Sequence, residues 1–182
     1  MLEGCAYCMT PRKSPHWSAM AGEFFVASEC FRLEWECAVT YGNAKGIDMM
    51  LVDSPSGKMA TIDVKSIRGG HPWFINKSRV KVEKNHFYVL VNYRNRFSDN
   101  INTRPECYII PSSDIIGMIV PSGRGSQECV DYRTVRGSKY YEAWNLIFPS
   151  GTSPTVPLPS PTARKCGNCG RTGHNRRTCP LP

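Results

Sequence analysis

The chain has 182 residues and a formal net charge of +8, and 41% of its residues are hydrophobic, which is enough for a buried core. No stretch approaches the roughly eighteen apolar residues that a bilayer span needs, and the N-terminus lacks the apolar segment of a secretory signal. The composition therefore argues against a membrane protein and a secreted protein, and we expect a soluble intracellular protein of the cytoplasm or the nucleus.

Charge and cysteine are distributed unevenly along the chain. From residue 150 onward there are five basic residues and no acidic ones, whereas the preceding part carries 18 basic and 15 acidic residues. The C-terminal tail is thus the part best suited to binding a polyanion. The cysteine count of nine is odd, and four cysteines form two Cys-x-x-Cys pairs, which favours metal binding in a reducing compartment over disulfides.

The N-terminal segment, residues 1–17, is irregular and contains the first Cys-x-x-Cys pair. One interpretation is a zinc site. The other is an irregular N-terminus that carries two thiols, because the spacing indicates no fourth ligand. The zinc ligands in the first interpretation would come from Cys5, Cys8, His16 and one of Cys30 and Cys37.

Residues 18–36 have the pattern of an amphipathic helix with Ser18 as its N-cap. At about 100° per residue, its apolar face holds Phe24, Ala27 and Phe31. Glu23 lies close to this face and is expected to point towards the core, where a carboxylate needs a basic residue, a capping contact or a metal as partner. Glu29 lies about a third of a turn away and is expected in solvent.

Residues 46–66 predict a β-hairpin, with turn residues at 53–57 between an apolar strand and an alternating one. Along the second strand, Asp63 and Lys65 share one face. The opposite face carries Ala60, Ile62, Val64 and Ser66. Asp48 opens the first strand and can reach the same end of the hairpin. Two carboxylates and an ammonium group are costly to desolvate together unless a cation, most simply a divalent metal, binds between them.

Four further elements are predicted in the remainder of the body. Residues 86–92 and 107–110 are expected as strands, 112–119 as a short helix and 139–147 as a closing helix. Structural roles are assigned to three isolated side chains, His71, Trp73 and His86. The order of elements predicts an α/β domain over residues 18–148, with a small mixed central sheet flanked by helices.

The tail begins with a proline-rich segment, residues 149–165, which predicts an extended linker. Residues 166–179 then follow the spacing C-x2-C-x4-H-x4-C, which suits tetrahedral Zn²⁺, and they are too few to fold without the metal. The zinc ligands would be Cys166, Cys169, His174 and Cys179. This segment resembles the CCHC zinc knuckle, whose relatives bind single-stranded nucleic acid.

The predicted knuckle departs from its relatives at one position. Knuckles that stack on bases usually carry an aromatic residue where this chain has Gly167. The features that remain are three cations, Arg171, Arg176 and Arg177. They suit the phosphates of DNA, of RNA or of single strands, and the alternative is a protein-docking module.

The body resembles the PD-(D/E)xK nuclease superfamily, which includes restriction endonucleases and Holliday-junction resolvases. The family pattern is a Gly-Glu pair on a helix, a small-residue turn, an Ile-Asp strand, and a strand that carries Asp or Glu, any residue, then Lys. In this sequence the pattern is found as Gly22-Glu23, residues 43–46, Ile47-Asp48 and Asp63-Val64-Lys65.

The resemblance implies a restriction-endonuclease-like fold and a metal-dependent site. Its ligands to Mg²⁺ (or Mn²⁺) would be Glu23, Asp48, Asp63 and the carbonyl of Val64. Lys65 would position or deprotonate the attacking water and stabilise the transition state, and Ser66 could contact the phosphate.

We therefore expect a metal-dependent endonuclease that hydrolyses DNA phosphodiester bonds, with the zinc knuckle raising its local concentration on nucleic acid. A homodimer is a further expectation, since cutting both strands needs two sites. Two alternatives stay open. One is a catalytically inactive adaptor that keeps the fold and binds nucleic acid or protein, and the other is a subunit of a larger restriction or repair assembly.

Overall fold

The computed structural model describes residues 14–40, 47–98, 104–123 and 127–149. In chain order its helices and strands are α1 (Pro15–Arg32), β1 (Glu36–Val39), β2 (Met49–Asp53), β3 (Lys58–Ile67), β4 (Trp73–Phe74), β5 (His86–Asn92), β6 (Glu106–Pro111), α2 (Ser112–Ile115), β7 (Ile119–Pro121), β8 (Glu128–Val130) and α3 (Tyr132–Val135). Short 3-10 turns lie at Lys77–Arg79, Ile116–Met118 and Trp144–Leu146. Among these described helices, none is both long and apolar enough to cross a bilayer.

The chain divides into two units, Met1–Ser150 and Gly151–Pro182, and every described residue belongs to the first. The predicted zinc knuckle and the predicted proline-rich linker, apart from its residue 149, lie outside the described residues, as do Cys5, Cys8 and the predicted turn at 43–46.

A five-stranded mixed sheet in the order β1-β2-β3-β5-β6 forms the centre of the first unit. Only the β3–β5 pair is parallel within this sheet, and its register places Asp63 beside Tyr88 and Lys65 beside Leu90. The predicted hairpin is confirmed as β2 and β3, which pair antiparallel across a turn that ends at Gly57 with φ of 66°. The predicted mixed α/β class is also confirmed.

Helix α1 begins earlier and ends sooner than the sequence predicts. Ser14, rather than Ser18, accepts the capping hydrogen bond, which the His16 N–H donates at 3.3 Å. The helix ends at Arg32, and Glu34 follows with a left-handed φ of 62° before β1 begins. The predicted extension to residue 36 is therefore wrong, because a left-handed residue cannot continue an α-helix.

The buried face of α1 also differs from the prediction. Phe24 and Phe31 are 53% and 59% exposed, whereas Ala27 of the predicted face is buried, together with mostly small residues. The buried side chains are Ser18, Gly22, Val26, Ala27, Glu29 and Cys30. The reason is a close approach to β3, since a Cβ added to Gly22 would lie 1.7 Å from the Ser66 Oγ. Aromatic side chains do not fit between elements that pack this closely.

Glu29 is buried rather than solvated, which corrects the prediction for this residue. Its Oε2 accepts hydrogen bonds from Arg32 at 2.8 Å and from Arg104 at 2.9 Å. Arg104 also bonds the carboxylate of Glu142 at 2.9 Å. Two guanidinium groups thus compensate for the desolvation of this carboxylate.

One of the suggested zinc ligand sets is ruled out by the same helix. His16 lies in the first turn of α1 and Cys30 in its last turn. At about 1.5 Å of rise per residue, the two are roughly 20 Å apart along the helix axis. They cannot bind one ion together.

A second, three-stranded sheet in the order β4-β8-β7 covers one face of the central sheet, and the sequence does not predict it. Trp73 of β4 is buried there, and its indole N–H donates to the Val91 carbonyl at 3.2 Å, which confirms its structural role. The core consequently has two halves, one on each face of β5 and β6.

The predicted closing helix over residues 139–147 is wrong. Tyr141 instead forms a β-bridge with Tyr108, and only Trp144–Leu146 make a 3-10 turn. Glu142 has a left-handed φ of 49°, which interrupts any helix. Its carboxylate accepts hydrogen bonds from the Cys107 N–H at 3.3 Å and from the Trp144 indole N–H at 2.9 Å.

Candidate active site

The predicted site residues from the hairpin meet where β2 separates from β3. The Asp48 N–H donates to the Ile62 carbonyl at 2.8 Å, which is the backbone bond next to the Met49–Ile62 pair at the start of β2. One step further, the Asp48 Oδ2 accepts a hydrogen bond from the Val64 N–H at 2.7 Å. The side chain of Asp48 thus takes the place of a strand partner, and this pins its carboxylate beside β3.

Asp63 and Lys65 lie on the face of β3 that turns away from α1. The Lys65 ammonium donates a hydrogen bond to Asp63 Oδ1 and lies 3.4 Å from the Val64 carbonyl oxygen. The Asp63 side chain is 9% exposed and that of Lys65 is 37% exposed, so the acid is buried while the ammonium reaches solvent. The predicted juxtaposition of these two residues is present in the fold.

The electrostatics of Asp63 are governed by its burial. The pKa of this carboxyl is raised to about 6, because burial, the largest effect, and the nearby Asp48 carboxylate raise it by more than the Lys65 ammonium lowers it. Loss of hydration therefore outweighs the ion pair with Lys65. A buried carboxylate in this state would gain from a further positive charge.

Glu23 reaches the same neighbourhood from α1. Its pKa is raised, first by partial burial and then by the negative charge of Asp48, while Lys65 and His16 lower it. Glu23 of α1 and Asp48 of the hairpin therefore interact electrostatically. That Glu23, Asp48 and Asp63 converge on one cation stays a prediction.

The oxygen donors here are of the kind that Mg²⁺ and Mn²⁺ prefer. The Ile62 carbonyl and the Val64 N–H both bond Asp48, which precedes β2. Because residues two apart on a strand point their backbone groups to the same side, the Val64 carbonyl also lies on the side of Asp48. Within the described ranges, no group of three or more His, Cys, Asp or Glu side chains is arranged to hold a metal. The predicted ligand set of Glu23, Asp48, Asp63 and the Val64 carbonyl stays a prediction.

Ser66 lies on the other face of β3. Its hydroxyl oxygen is buried against Gly22 of α1 and has no hydrogen-bond partner among the described residues. Because side chains alternate along a strand, this face is opposite to the one that carries Asp63 and Lys65. The predicted contact of Ser66 with a phosphate stays a prediction.

A cleft of about 850 Å³ opens over Asp63 and Lys65. The rest of its lining comes from the connection between β3 and β5, from β5 itself and from the start of β8, namely Phe74, Ile75, Asn76, Ser78, Arg79, Val80, Lys81, Tyr88, Gln127 and Glu128. We call the part of this lining from residue 74 to residue 81 the cleft wall. The sequence does not predict the wall, although one signal was available in the cluster of four cations at Lys77, Arg79, Lys81 and Lys84.

Local hydrogen bonds give the cleft wall a defined backbone. The Asn76 Oδ1 accepts from the Ser78 N–H at 3.0 Å and caps the 3-10 turn that follows. The Glu128 Oε2 accepts from the Lys77 N–H at 2.6 Å, which joins the turn to β8. On the floor of the cleft, the pKa of the Tyr88 phenol is raised to about 12, chiefly by burial and secondly by the negative charge of Asp63.

The likeness of this chain to known proteins is one of structure alone. No protein-family model matches the chain, and no curated protein matches it. The chain is similar to a solved structure described as that of a bacterial homing endonuclease, with a TM-score of 0.47 and 16% sequence identity. The alignment covers 74% of this chain and 93% of that structure.

Proposed function

We propose that this protein is an endonuclease that hydrolyses DNA phosphodiester bonds with the help of Mg²⁺ or Mn²⁺. The observation that carries the proposal is the hydrogen-bonded pair of Asp63 and Lys65 beside Asp48, at the floor of a cleft with a cationic wall. On an ordinary solvated strand, the side chains of an aspartate and a lysine would both be exposed and would not be held together. Here the acid is buried, and the ammonium is held next to it and faces the cleft.

Each side chain has a role that its position supports. The Lys65 ammonium reaches solvent within the cleft, so it can orient a water molecule beside a bound phosphate and stabilise the negative charge that grows during hydrolysis. Asp48, Asp63, Glu23 and the Val64 carbonyl would hold the cation. When bound, the cation would polarise the phosphate and lower the pKa of an attacking water.

The proposal is tested by incubating the purified full chain with supercoiled, branched and single-stranded DNA in Mg²⁺ or Mn²⁺. We expect cleavage by the wild type and a decrease of at least about 100-fold in Lys65→Ala and in Asp63→Asn, because each change removes charge from the reacting centre. Lys58→Ala is the matched control, since Lys58 is an exposed lysine at the opposite end of β3. If wild type and Lys65→Ala are equally inert on every substrate, the chain is not this enzyme.

The C-terminal tail would assist nucleic-acid binding through a zinc site at Cys166, Cys169, His174 and Cys179, with Arg171, Arg176 and Arg177 on phosphates. We expect Cys169→Ser to release zinc, measured with a colorimetric chelator, and to weaken DNA retention in moderate salt. Cleavage at saturating DNA should persist, because the proposed catalytic residues lie elsewhere in the chain. Unchanged retention would indicate that the tail docks on a protein instead.

A further inference from the structure

The cleft wall presents an aromatic ring to the site. In β4, Trp73 is buried with 1% exposure, whereas its neighbour Phe74 is 53% exposed and lines the cleft. An exposed phenyl ring is costly in water, and this one lies in a concave surface rather than on a convex one. A flat apolar ligand that enters the cleft would cover it.

Cations accompany this ring. Arg79 and Lys81 line the cleft on the same wall, and neither takes part in an ion pair among the described residues. The acidic Glu128 also lines the cleft, but its carboxylate is already engaged by the Lys77 N–H. The two cations are therefore available to a ligand that carries negative charge.

Aromatic and cationic side chains side by side are the composition that binds an unpaired nucleic-acid strand. In a duplex the faces of each base are covered by its neighbours in the stack, so a protein ring cannot reach them without unstacking. The cleft volume of about 850 Å³ is of the size that holds a small ligand or a few nucleotides, and it is too small to enclose a duplex.

We propose that the cleft binds single-stranded DNA next to the scissile phosphate, with a base stacked on Phe74 and flanking phosphates on Arg79 and Lys81. The substrate would therefore be unpaired at the site of cutting, as at a flap, a branch or a single-stranded region. The position of the scissile phosphate at Asp63 and Lys65 depends on the proposed function, whereas strand binding by the wall does not.

The test compares binding of a fluorescent 12-nucleotide single strand and of the matching duplex by fluorescence anisotropy. The full chain is used without added Mg²⁺ or Mn²⁺, and a denaturing gel verifies that the DNA stays intact. We expect Phe74→Ala to weaken single-strand binding by about 5- to 150-fold and to leave duplex binding unchanged. Phe74→Tyr should bind like wild type, because tyrosine also stacks.

Phe31→Ala is the matched control. Phe31 is 59% exposed on α1, outside the cleft, so its removal should change neither binding constant. The tail is present in every variant, and its contribution cancels in the comparison. Arg79→Gln combined with Lys81→Gln should lower the dependence of log Kd on log salt by about 1.4, the value for two lost phosphate contacts on a single strand.

A positional readout completes the test. A single strand that carries 5-iodouracil should photo-crosslink to Phe74 in wild type and in Phe31→Ala, and the crosslink should be lost in Phe74→Ala. The proposal is overturned if Phe74→Ala and Phe31→Ala bind the single strand equally, or if Phe74→Ala weakens duplex binding by the same factor. Lys65→Ala should abolish cleavage and keep the crosslink. If the wild type itself forms the crosslink but cleaves no DNA, only the proposed function is refuted.

Discussion

Strands β3 and β5 are parallel neighbours in the same sheet, yet only β3 carries candidate catalytic residues. All seven residues of β5 are buried, because one face lies in the core cluster that includes α1 and Trp144, and the other lies in the cluster that includes the second sheet. On β3 the face towards α1 is buried in the same way, whereas the other face carries Asp63 and Lys65 and opens to the cleft. The second sheet covers β5 and leaves this face of β3 open to the cleft. Its position therefore decides which of the two strands can carry charged side chains.

The largest effect on stability is expected at the register pair of Lys65 and Leu90. Leu90 is fully buried, so Leu90→Lys should destabilise the fold by roughly 4 kcal/mol or more, as an ammonium without a partner loses its hydration. Lys65→Leu should cost only roughly 1 to 2 kcal/mol, mainly because Asp63 loses its hydrogen-bond donor. Chemical denaturation of the two variants measures both values.

Equal losses of stability in these two variants would contradict the comparison, because they would mean that both strands are equally covered. Leu90→Met is the control that shows whether any substitution at position 90 destabilises the fold. A volume-conserving apolar change at Leu90 should cost less than about 1.5 kcal/mol.

The face of β3 towards α1 is expected to tolerate no added atoms at Gly22. Gly22→Ala should destabilise the protein by about 1–3 kcal/mol, because the new Cβ would lie 1.7 Å from the Ser66 Oγ and 2.8 Å from the Ser66 Cβ. The double variant Gly22→Ala, Ser66→Gly should be more stable than Gly22→Ala alone, since it removes both contacts. Thermal unfolding of the single and double variants measures the coupling.

Gly117→Ala is the matched control for this change. A Cβ at Gly117 would meet no atom within 4 Å, so the substitution should alter stability by no more than about 0.5 kcal/mol. If Gly22→Ala is as harmless as Gly117→Ala, α1 does not pack on β3 as closely as described.

The smallest effect is expected where β3 and β5 begin to pair, at Thr61 and His86. The His86 ring is buried, its Nδ1 lies 2.9 Å from the Thr61 Oγ1, and burial lowers its pKa below the ordinary value of 6.5. The charged groups that also act on this pKa are Glu83, Lys81, Asp48 and Lys65. The folded state thus favours the neutral ring.

The sign of the pH dependence follows from linkage. Below about pH 6.5 the unfolded chain binds a proton at His86 that the folded chain resists, so the stability contributed by the neutral ring is complete above that pH and is lost as the pH falls. We expect His86→Gln to reduce this loss between about pH 7 and pH 5, measured by denaturation at each pH. The raised pKa of Asp63 acts with the opposite sign, but it is present in both proteins and cancels in the difference. If the stabilities of wild type and of His86→Gln change with pH in the same way, His86 has the same pKa in the folded and the unfolded chain.

Much of the central hairpin and of the candidate site is determined by the sequence itself. The side chains of β3 alternate with a period of two, and β5 is a continuous apolar run. Both patterns are local, so they can be recognised without knowledge of the rest of the fold, and the alternation assigns the two faces of β3. Asp63 and Lys65 therefore share a face as predicted, and Asp48 lies beside them.

Only the tertiary structure decides what covers each face. Glu29 is buried because Arg104, 75 residues further along the chain, reaches it, and no local periodicity contains that information. Phe24 is exposed because Gly22 brings α1 close to Ser66. The second sheet consists of strands of two or three residues, too short for a pattern of their own, and their placement over β5 leaves the cleft open over β3. Burial depends on the partner as well as on the element, so the sequence determines the charges on β3 while long-range packing decides that they face a cleft.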